Sequence, residues 1–492
     1  MKKFWLVLLS LGLIMAFSAS AFAVDVKISG SFYAAGMYQN KTTFIKNGYY
    51  LDGITPVPSD GDPSTAFFYQ RLRVETDFIF SPSLKLVTRL NALERIWGGA
   101  RSTPDTITDS QSAATRAENE NIGFDWAYIE YVSPIGMFDV GYMDDGGWGT
   151  IFGDTSVPRG IISWAAEKGP WTAFFQILKL NDNSKSFHPL SFNNSTDNDT
   201  DKYQAGGFYK WKGGESGLLF IYYRDASMRP YYPLPGFDAG MTGNVYVLQP
   251  YVIANFGPVK LQAELDYAFG KVKMDNSDLS DYDMRVDNLA GWVDATVNLN
   301  QFYFGGSVAY VAGNDWSKYN STYNPMLHTG QMDVIKGGFL TGGMDWNPTL
   351  ILFNNERHYW GGAIRGNNMT STYMNYLSTQ FNLNDTGMYN AWFLQGRAGI
   401  RPTDKLDIVA SISYAWADNK TLPANDSGSP PDAVGAAYGT EIDLIGTYKI
   451  SNNLSYMLGF GYLFTGDYFK GYDPTAEVRD NFIAINKLTL TF

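Results

Sequence analysis

From Arg71 to Asp77 charged residues occupy every second position, Arg71, Arg73, Glu75 and Asp77, against Leu72, Val74, Thr76, Phe78 and Phe80 on the even positions. After Ser81-Pro82-Ser83 the alternation resumes, with Lys85, Val87, Arg89 and Asn91 set against Leu84, Leu86, Thr88, Leu90 and Ala92. Successive side chains of a strand point to opposite faces, so each stretch is a ribbon with one charged and one apolar side. Charges fixed along an aqueous passage would do the chemistry of selection, attracting and orienting hydrated solutes. Where alternation is clear, Arg71, Arg73, Lys85, Arg89, Lys260, Arg397 and Arg401 face Glu75, Asp77, Glu264, Asp266, Asp294, Glu441 and Asp443. Seven cations against seven anions could set up a transverse field, with Arg71, Arg73 and Arg89 as a basic stripe. Alternatively, they pair across strands and stiffen a wall.

Bond-making chemistry finds little support. The three histidines, His188, His328 and His358, fall in polar connections or at strand ends, with no partner within evident reach of a nucleophile. Cysteine is absent, which removes thiolate metal sites and Cys-x-x-Cys-His haem attachment. Neither Asp197-Asn198-Asp199-Thr200-Asp201 nor the stretch from Asp275 to Asp283 has the Gly and Glu positions of an EF-hand loop. Solvated loops, or loose divalent bridging to lipopolysaccharide, are the expectation there. No enzyme, metal site or cofactor is expected.

One further segment invites a role. Asp144-Asp145-Gly146-Gly147-Trp148-Gly149-Thr150-Ile151-Phe152-Gly153-Asp154 combines glycines that permit tight paths with two rings that need burial. It is the candidate constriction loop, through Asp144, Asp145, Trp148, Phe152 and Asp154; capping the passage from outside is the alternative.

The ribbons that must position these residues recur along the chain. Val259 to Phe269, Trp392 to Arg401, Leu406 to Trp416 and Tyr438 to Lys449 repeat the alternation, each about ten residues or a little longer, enough for a tilted strand to cross a bilayer. Short connections lie near Ser81-Pro82, Ser133-Pro134, Lys168-Gly169-Pro170, Lys212-Gly213-Gly214, Phe256-Gly257-Pro258, Asn298-Leu299-Asn300, Asn347-Pro348, Arg401-Pro402-Thr403 and Ser451-Asn452-Asn453. Long polar connections alternate with them. Nine short turns imply eighteen strands, and the outermost segments, Val24 to Gln39 and Arg479 to Phe492, bring the literal count to twenty. The segments 160–180 and 334–357 carry the weakest alternation, so the expected range is 18–20.

Alternation alone also suits a soluble sandwich. The start of the chain, its aromatic load and its loop asymmetry decide otherwise. Lys2 and Lys3, an apolar run from Phe4 to Phe17 and Ser18-Ala19-Ser20-Ala21-Phe22-Ala23 read as a signal peptide, residues 1–23, cleaved after Ala23. The chain carries 13 Trp, 33 Tyr, 32 Phe and 50 Gly, which suits a barrel with aromatic girdles at both membrane interfaces. Short turns on one side and long loops on the other are the outer-membrane pattern, short in the periplasm and long outside. Residues 24–492 are therefore expected to form one all-β, antiparallel, up-and-down transmembrane β-barrel. Without Lys2 and Lys3 the chain has 35 basic and 49 acidic residues, a net charge of −14. That excludes the concentrated basic face that nucleic acid requires and offers no polybasic patch for anionic lipid.

The last strand ends Leu488-Thr489-Leu490-Thr491-Phe492, which resembles the terminal address read by the bacterial barrel-assembly machinery, with Phe492 as its signal residue. Taken whole, residues 24–492 resemble the large Gram-negative outer-membrane porins. Gly439-Thr440-Glu441-Ile442-Asp443, followed by Gly459-Phe460-Gly461-Tyr462-Leu463-Phe464 and Thr465-Gly466-Asp467-Tyr468-Phe469, is similar to the closing strands of the alginate-export-type family. The resemblance implies a barrel of about eighteen strands in the bacterial outer membrane and leaves the solute open. The expected function is a water-filled channel for passive diffusion of small polar solutes. Two alternatives are a conduit for an anionic polysaccharide and a sheath for a partner cytochrome. The expected partners are outer-membrane lipid, lipopolysaccharide, the assembly machinery and small polar solutes, with further copies of the chain as a candidate.

Overall fold

Alternation over ten or more residues, closed at one end by Pro, Gly or Asn, makes hairpins of long strands. The computed structural model describes residues 24–41, 44–46, 64–97, 122–182, 197–227, 241–275, 283–324, 329–343, 345–354, 387–422 and 432–492. The proposed signal peptide, the three histidines and most of the long connections lie outside the described residues.

Eighteen strands form the wall. They are β1 (Asp25–Gln39), β2 (Thr65–Ser81), β3 (Leu84–Ile96), β4 (Ile122–Ser133), β5 (Gly136–Asp145) and β6 (Val157–Lys168). Next come β7 (Trp171–Asn181), β8 (Thr200–Trp211), β9 (Gly214–Asp225), β10 (Met241–Phe256), β11 (Val259–Met274) and β12 (Met284–Leu299). The wall is completed by β13 (Phe302–Val311), β14 (Ala391–Thr403), β15 (Leu406–Ala417), β16 (Ala437–Lys449), β17 (Leu454–Thr465) and β18 (Asn481–Thr491). Each pairs antiparallel with its chain neighbours, and β1 pairs with both β2 and β18, which closes the barrel and leaves no edge. This is one transmembrane-type antiparallel barrel of eighteen strands.

Eight of the nine expected short turns join hairpins. Asn347-Pro348 does not, and the segment 334–357 is not a pair of wall strands; β13 pairs directly with β14 instead. The literal count of twenty is thereby corrected to eighteen. The weak segment 160–180, by contrast, supplies β6 and β7.

Burial inverts the pattern of a soluble protein. On β11 and β12 the outward Leu265 and Val293 are 48 % and 47 % exposed, whereas the inward Glu264 and Asp266 are 4 % and 2 % exposed. Rings band the outside at two levels. Trp171, Tyr209 and Trp211 stack near the short turns. Tyr222, Tyr246, Phe269 and Tyr267, with Trp392 and Trp416, stack near the long loops. Amphipathic rings favour such levels because the ring meets lipid while the polar tip meets headgroups. The hydrophobic core lies inside the bore, where segments of the third and seventh long connections, residues 146–156 and 337–354, bring Phe152, Trp346, Leu352 and Phe353 against Trp292, Phe393 and Tyr438 on the wall.

Candidate functional site

The lumen is shaped first by residues 146–156. Between β5 and β6 the chain turns inward, and Gly149, at φ +76°, lies so close to Glu264 that a Cβ would stand 2.7 Å from its Oε2. Thr150 donates both its N–H, at 2.6 Å, and its hydroxyl, at 2.5 Å, to Glu264 Oε2. The Trp148 indole donates to the Gln249 carbonyl at 2.9 Å, and its ring meets Tyr251 edge-on. Gly217 makes room for that ring; a Cβ there would stand 2.8 Å from it. Phe152 is wholly buried, stacked on Trp292 and edge-on to Trp346. The segment thus lies against Gln249, Glu264 and Trp292 of the wall.

Residues 337–354 come in beside it. Ile351 and Leu352 donate their backbone N–H groups to the two oxygens of Glu441, at 2.6 and 2.8 Å, and Phe339 and Leu340 donate theirs to Asn288 Oδ1. Gln395 donates to the Pro348 carbonyl at 2.7 Å. The two segments also join each other: Gly343 N–H donates to Phe152 O at 2.6 Å, Asp345 N–H to Asp154 O, and Ser156 N–H to Asp345 Oδ2. Asp154 sits within this junction. Burial, with the Asp345 carboxylate next in weight, pushes its carboxyl up to about 6.

The expected lining residues divide accordingly. Glu264 and Glu441 point inward but hold loop backbone, and Glu441 is 0 % exposed. Asp443 is buried beside Glu441 under the same turn and accepts from Ser411. Asp266 accepts from Gln249 at 2.9 Å. Arg397 grips Asp294 with both terminal nitrogens, at 2.6 and 2.8 Å, across β13. Arg401 pairs with Asp407 and covers the ring of Tyr303. Lys85 bridges Glu130 at 2.9 Å and approaches Asp77 at 3.9 Å. Glu75 stands on the same inward side of β2, directly opposite Arg89.

Arg71, Arg73 and Arg89 converge on two acids that alternation does not reveal. Arg73 donates to Asn91 and reaches Asp125, Arg89 also reaches Asp125, and Arg71 reaches Glu94, with the three ion pairs at 3.3–3.4 Å. Arg89 lies 3.3 Å over the Trp126 ring. Both acids sit at irregularities: the register shifts between Gln70 and Leu72 on β2, where Leu93 opposite has φ +50°, and again between Arg89 and Leu90 on β3, where Asp125 is the extra residue. An extra residue reverses the parity beyond it. The only legible hint was that Asp125 and Glu130, an odd five residues apart, cannot share one face of a regular strand.

A cavity of about 550 Å3 remains between the inward segments and the wall from β5 to β11. Asp139, Asp144, Asp145, Asp266, Arg159 and Lys202 reach it, with Gln176, Gln204 and Gln249 among them and Trp148, Phe174 and Phe208 among its rings. Lys202 is held by Asp145 at 2.7 Å. Outside the bore, Asp197 pairs with Arg224, and Asp199 and Asp201 pair with Lys179, so these loop acids are occupied by cations of the protein. Phe492 is half-exposed on the outer surface.

No protein-family model matches the chain, and no curated protein matches it. Among solved structures it is similar to OccK8 (OprE) of Pseudomonas aeruginosa, with a TM-score of 0.46, 11 % identity and coverage of 95 % of this chain and 98 % of that one. It is also similar to OpdQ of Pseudomonas aeruginosa, with a TM-score of 0.46, 12 % identity and coverage of 96 % and 100 %. The outer membrane protein OpdK of the same organism matches with a TM-score of 0.44, 10 % identity and coverage of 95 % and 99 %.

Proposed function

We propose that this chain is an outer-membrane porin, a water-filled channel through which small polar solutes diffuse passively. One observation carries the reading: apolar side chains face out from a closed eighteen-stranded wall, while Asp, Glu, Arg and Gln face a bore that keeps a polar cavity of about 550 Å3. Barrels of sixteen to eighteen strands leave room for water, and inward loops set how much.

The resemblance to alginate-export-type closing strands suggests a competing reading, a conduit for an acidic polymer. The convergence of Arg71, Arg73 and Arg89 favours it, but Glu94 and Asp125 offset that charge. Two segments crossing the bore suit small solutes better than a chain, and they occupy space that a partner cytochrome would need. Single-channel conductance in a salt gradient tests the proposal. The expected result is a pore that conducts ions when added alone. A pore closed until an acidic polysaccharide is supplied would favour the conduit, and a folded barrel that never conducts would overturn both.

A further inference from the structure

Strand register places six inward side chains in one unbroken row. Lys85 on β3 stands opposite Glu130 on β4, Glu130 opposite Asp139 on β5, Asp139 opposite Ser163 on β6, Ser163 opposite Gln176 on β7, and Gln176 opposite Gln204 on β8. Strands of a closed barrel tilt by roughly 35–45°, so a row perpendicular to them climbs the bore instead of ringing it. The positions agree: Lys85 is next to the Leu84 end of β3, at a short turn, whereas Gln204 stands well inside β8, whose short-turn end is Trp211. The row therefore starts at one mouth as charge, Lys85 bridged to Glu130, reaches the cavity at Asp139 and continues along it as the neutral Ser163, Gln176 and Gln204.

The neutral end is joined into a chain. Gln204 Nε2 donates to Gln176 Oε1, and Gln176 Nε2 donates to Ser163 Oγ at 3.1 Å. A primary amide has two N–H groups and an oxygen with two lone pairs, so each glutamine keeps donor and acceptor capacity beyond these bonds. Across the cavity Gln249 spends one N–H on Asp266. Trp148 and Phe174, 5.5 Å apart, offer apolar faces beside them.

The lining carries both signs, Asp139, Asp144, Asp145 and Asp266 against Arg159 and Lys202, with Lys202 already held by Asp145, so neither an anion nor a cation meets a surface of uniformly opposite charge. An apolar solute would strip water from the amides and carboxylates without replacing its hydrogen bonds. A neutral polyol matches all three demands: each hydroxyl both donates and accepts, C–H faces lie against rings, and no net charge is desolvated. The volume lies within the roughly 300–1,000 Å3 of small-molecule sites.

We propose that the Ser163–Gln176–Gln204 row and the cavity it enters form a binding subsite for neutral polyhydroxylated solutes of sugar size. This inference rests on the channel reading and sharpens it. The test is single-channel recording with a neutral disaccharide added to the wild type and to Gln176→Met with Gln204→Met, which keep side-chain length but remove both amides. Saturable interruptions of the wild-type current are expected, weakened at least about tenfold in the double variant, as loss of two or more hydrogen bonds implies. A singly charged solute of similar size should interrupt the current less than the disaccharide. Equal interruption of the variant, or an open wild-type channel indifferent to the sugar, overturns the subsite and leaves the channel standing. If the wild type fails to conduct at all, the channel reading falls and the subsite with it. Should the double variant not assemble, Ser163→Ala and Gln249→Met report on the same row and cavity, each with a several-fold loss expected.

Discussion

Two stretches of the same wall solve the problem of buried polarity differently. From β2 to β4, Arg71, Arg73 and Arg89 crowd onto Glu94 and Asp125, and the ladder is broken twice to bring those acids inward. From β5 to β8 the rows around Asp139, Ser163, Gln176 and Gln204 run in regular register, linked through neutral side chains. The first arrangement concentrates charge and needs irregular backbone to offset it. The second carries polarity through the neutral Ser163, Gln176 and Gln204, with Asp139 at the head of the row, and needs only regular strands. Selectivity for ions should therefore live on the first wall and recognition of uncharged solutes on the second.

Replacing Arg71→Glu with Arg73→Glu should break the division most severely. Two charges reverse sign, a net change of four units, beside Glu94 and Asp125, and the cation-to-anion permeability ratio should rise by roughly tenfold or more, since lumen potentials reach several kT. Reversal potentials in a salt gradient measure this, and an unchanged value would remove the arginine group from ion selection. Asp125→Asn should act in the opposite direction, by several-fold towards anions, because Arg73 and Arg89 lose a shared carboxylate. Gln204→Glu adds a charge to the neutral amide row and should move the ratio towards cations by only about threefold; a shift equal to that of the arginine reversal would erase the contrast between the two stretches.

The smallest effect concerns the junction of the two inward segments. A carboxyl whose folded value is raised, as for Asp154 at about 6, contributes stability in full below its unfolded value and loses it as pH rises towards 6. The contact between residues 146–156 and 337–354 should therefore be firmest in acid. Current fluctuations should increase between pH 4 and pH 6, as recorded in steps of pH, and Asp154→Asn should flatten that dependence.

Much of the wall was legible because lipid and water enforce a period of two. Arg71, Arg73, Lys85, Arg89, Glu264 and Asp266 face inward as their parity requires, and eight of nine turns are where Pro, Gly and Asn place them. Parity stops being informative at a bulge, which is why Glu94 and Asp125 escaped notice. The bore segment 337–354 was obscured for another reason. Leu350-Ile351-Leu352-Phe353 is an apolar run, and such a run suits a buried strand as well as an internal core. What distinguishes the two is the pair of backbone bonds to Glu441, some ninety residues away, and long-range pairing leaves no local mark. The amide row was invisible for the same reason, since Gln176 and Gln204 become neighbours only through register.

The seam of the cylinder has a bearing on how it is made. Gly30 and Phe492 exchange backbone hydrogen bonds at 2.8 and 3.0 Å, so β1 is matched to β18, which is synthesised more than four hundred residues later. Until translation reaches that point, β1 offers an unsatisfied flank to any passing polypeptide. Closure at such sequence separation carries a large entropic cost before any contact rewards it. A newly exported copy should consequently depend on escorts that mask its flanks during transit, and shortening the chain by its last strand should leave an open sheet prone to aggregate.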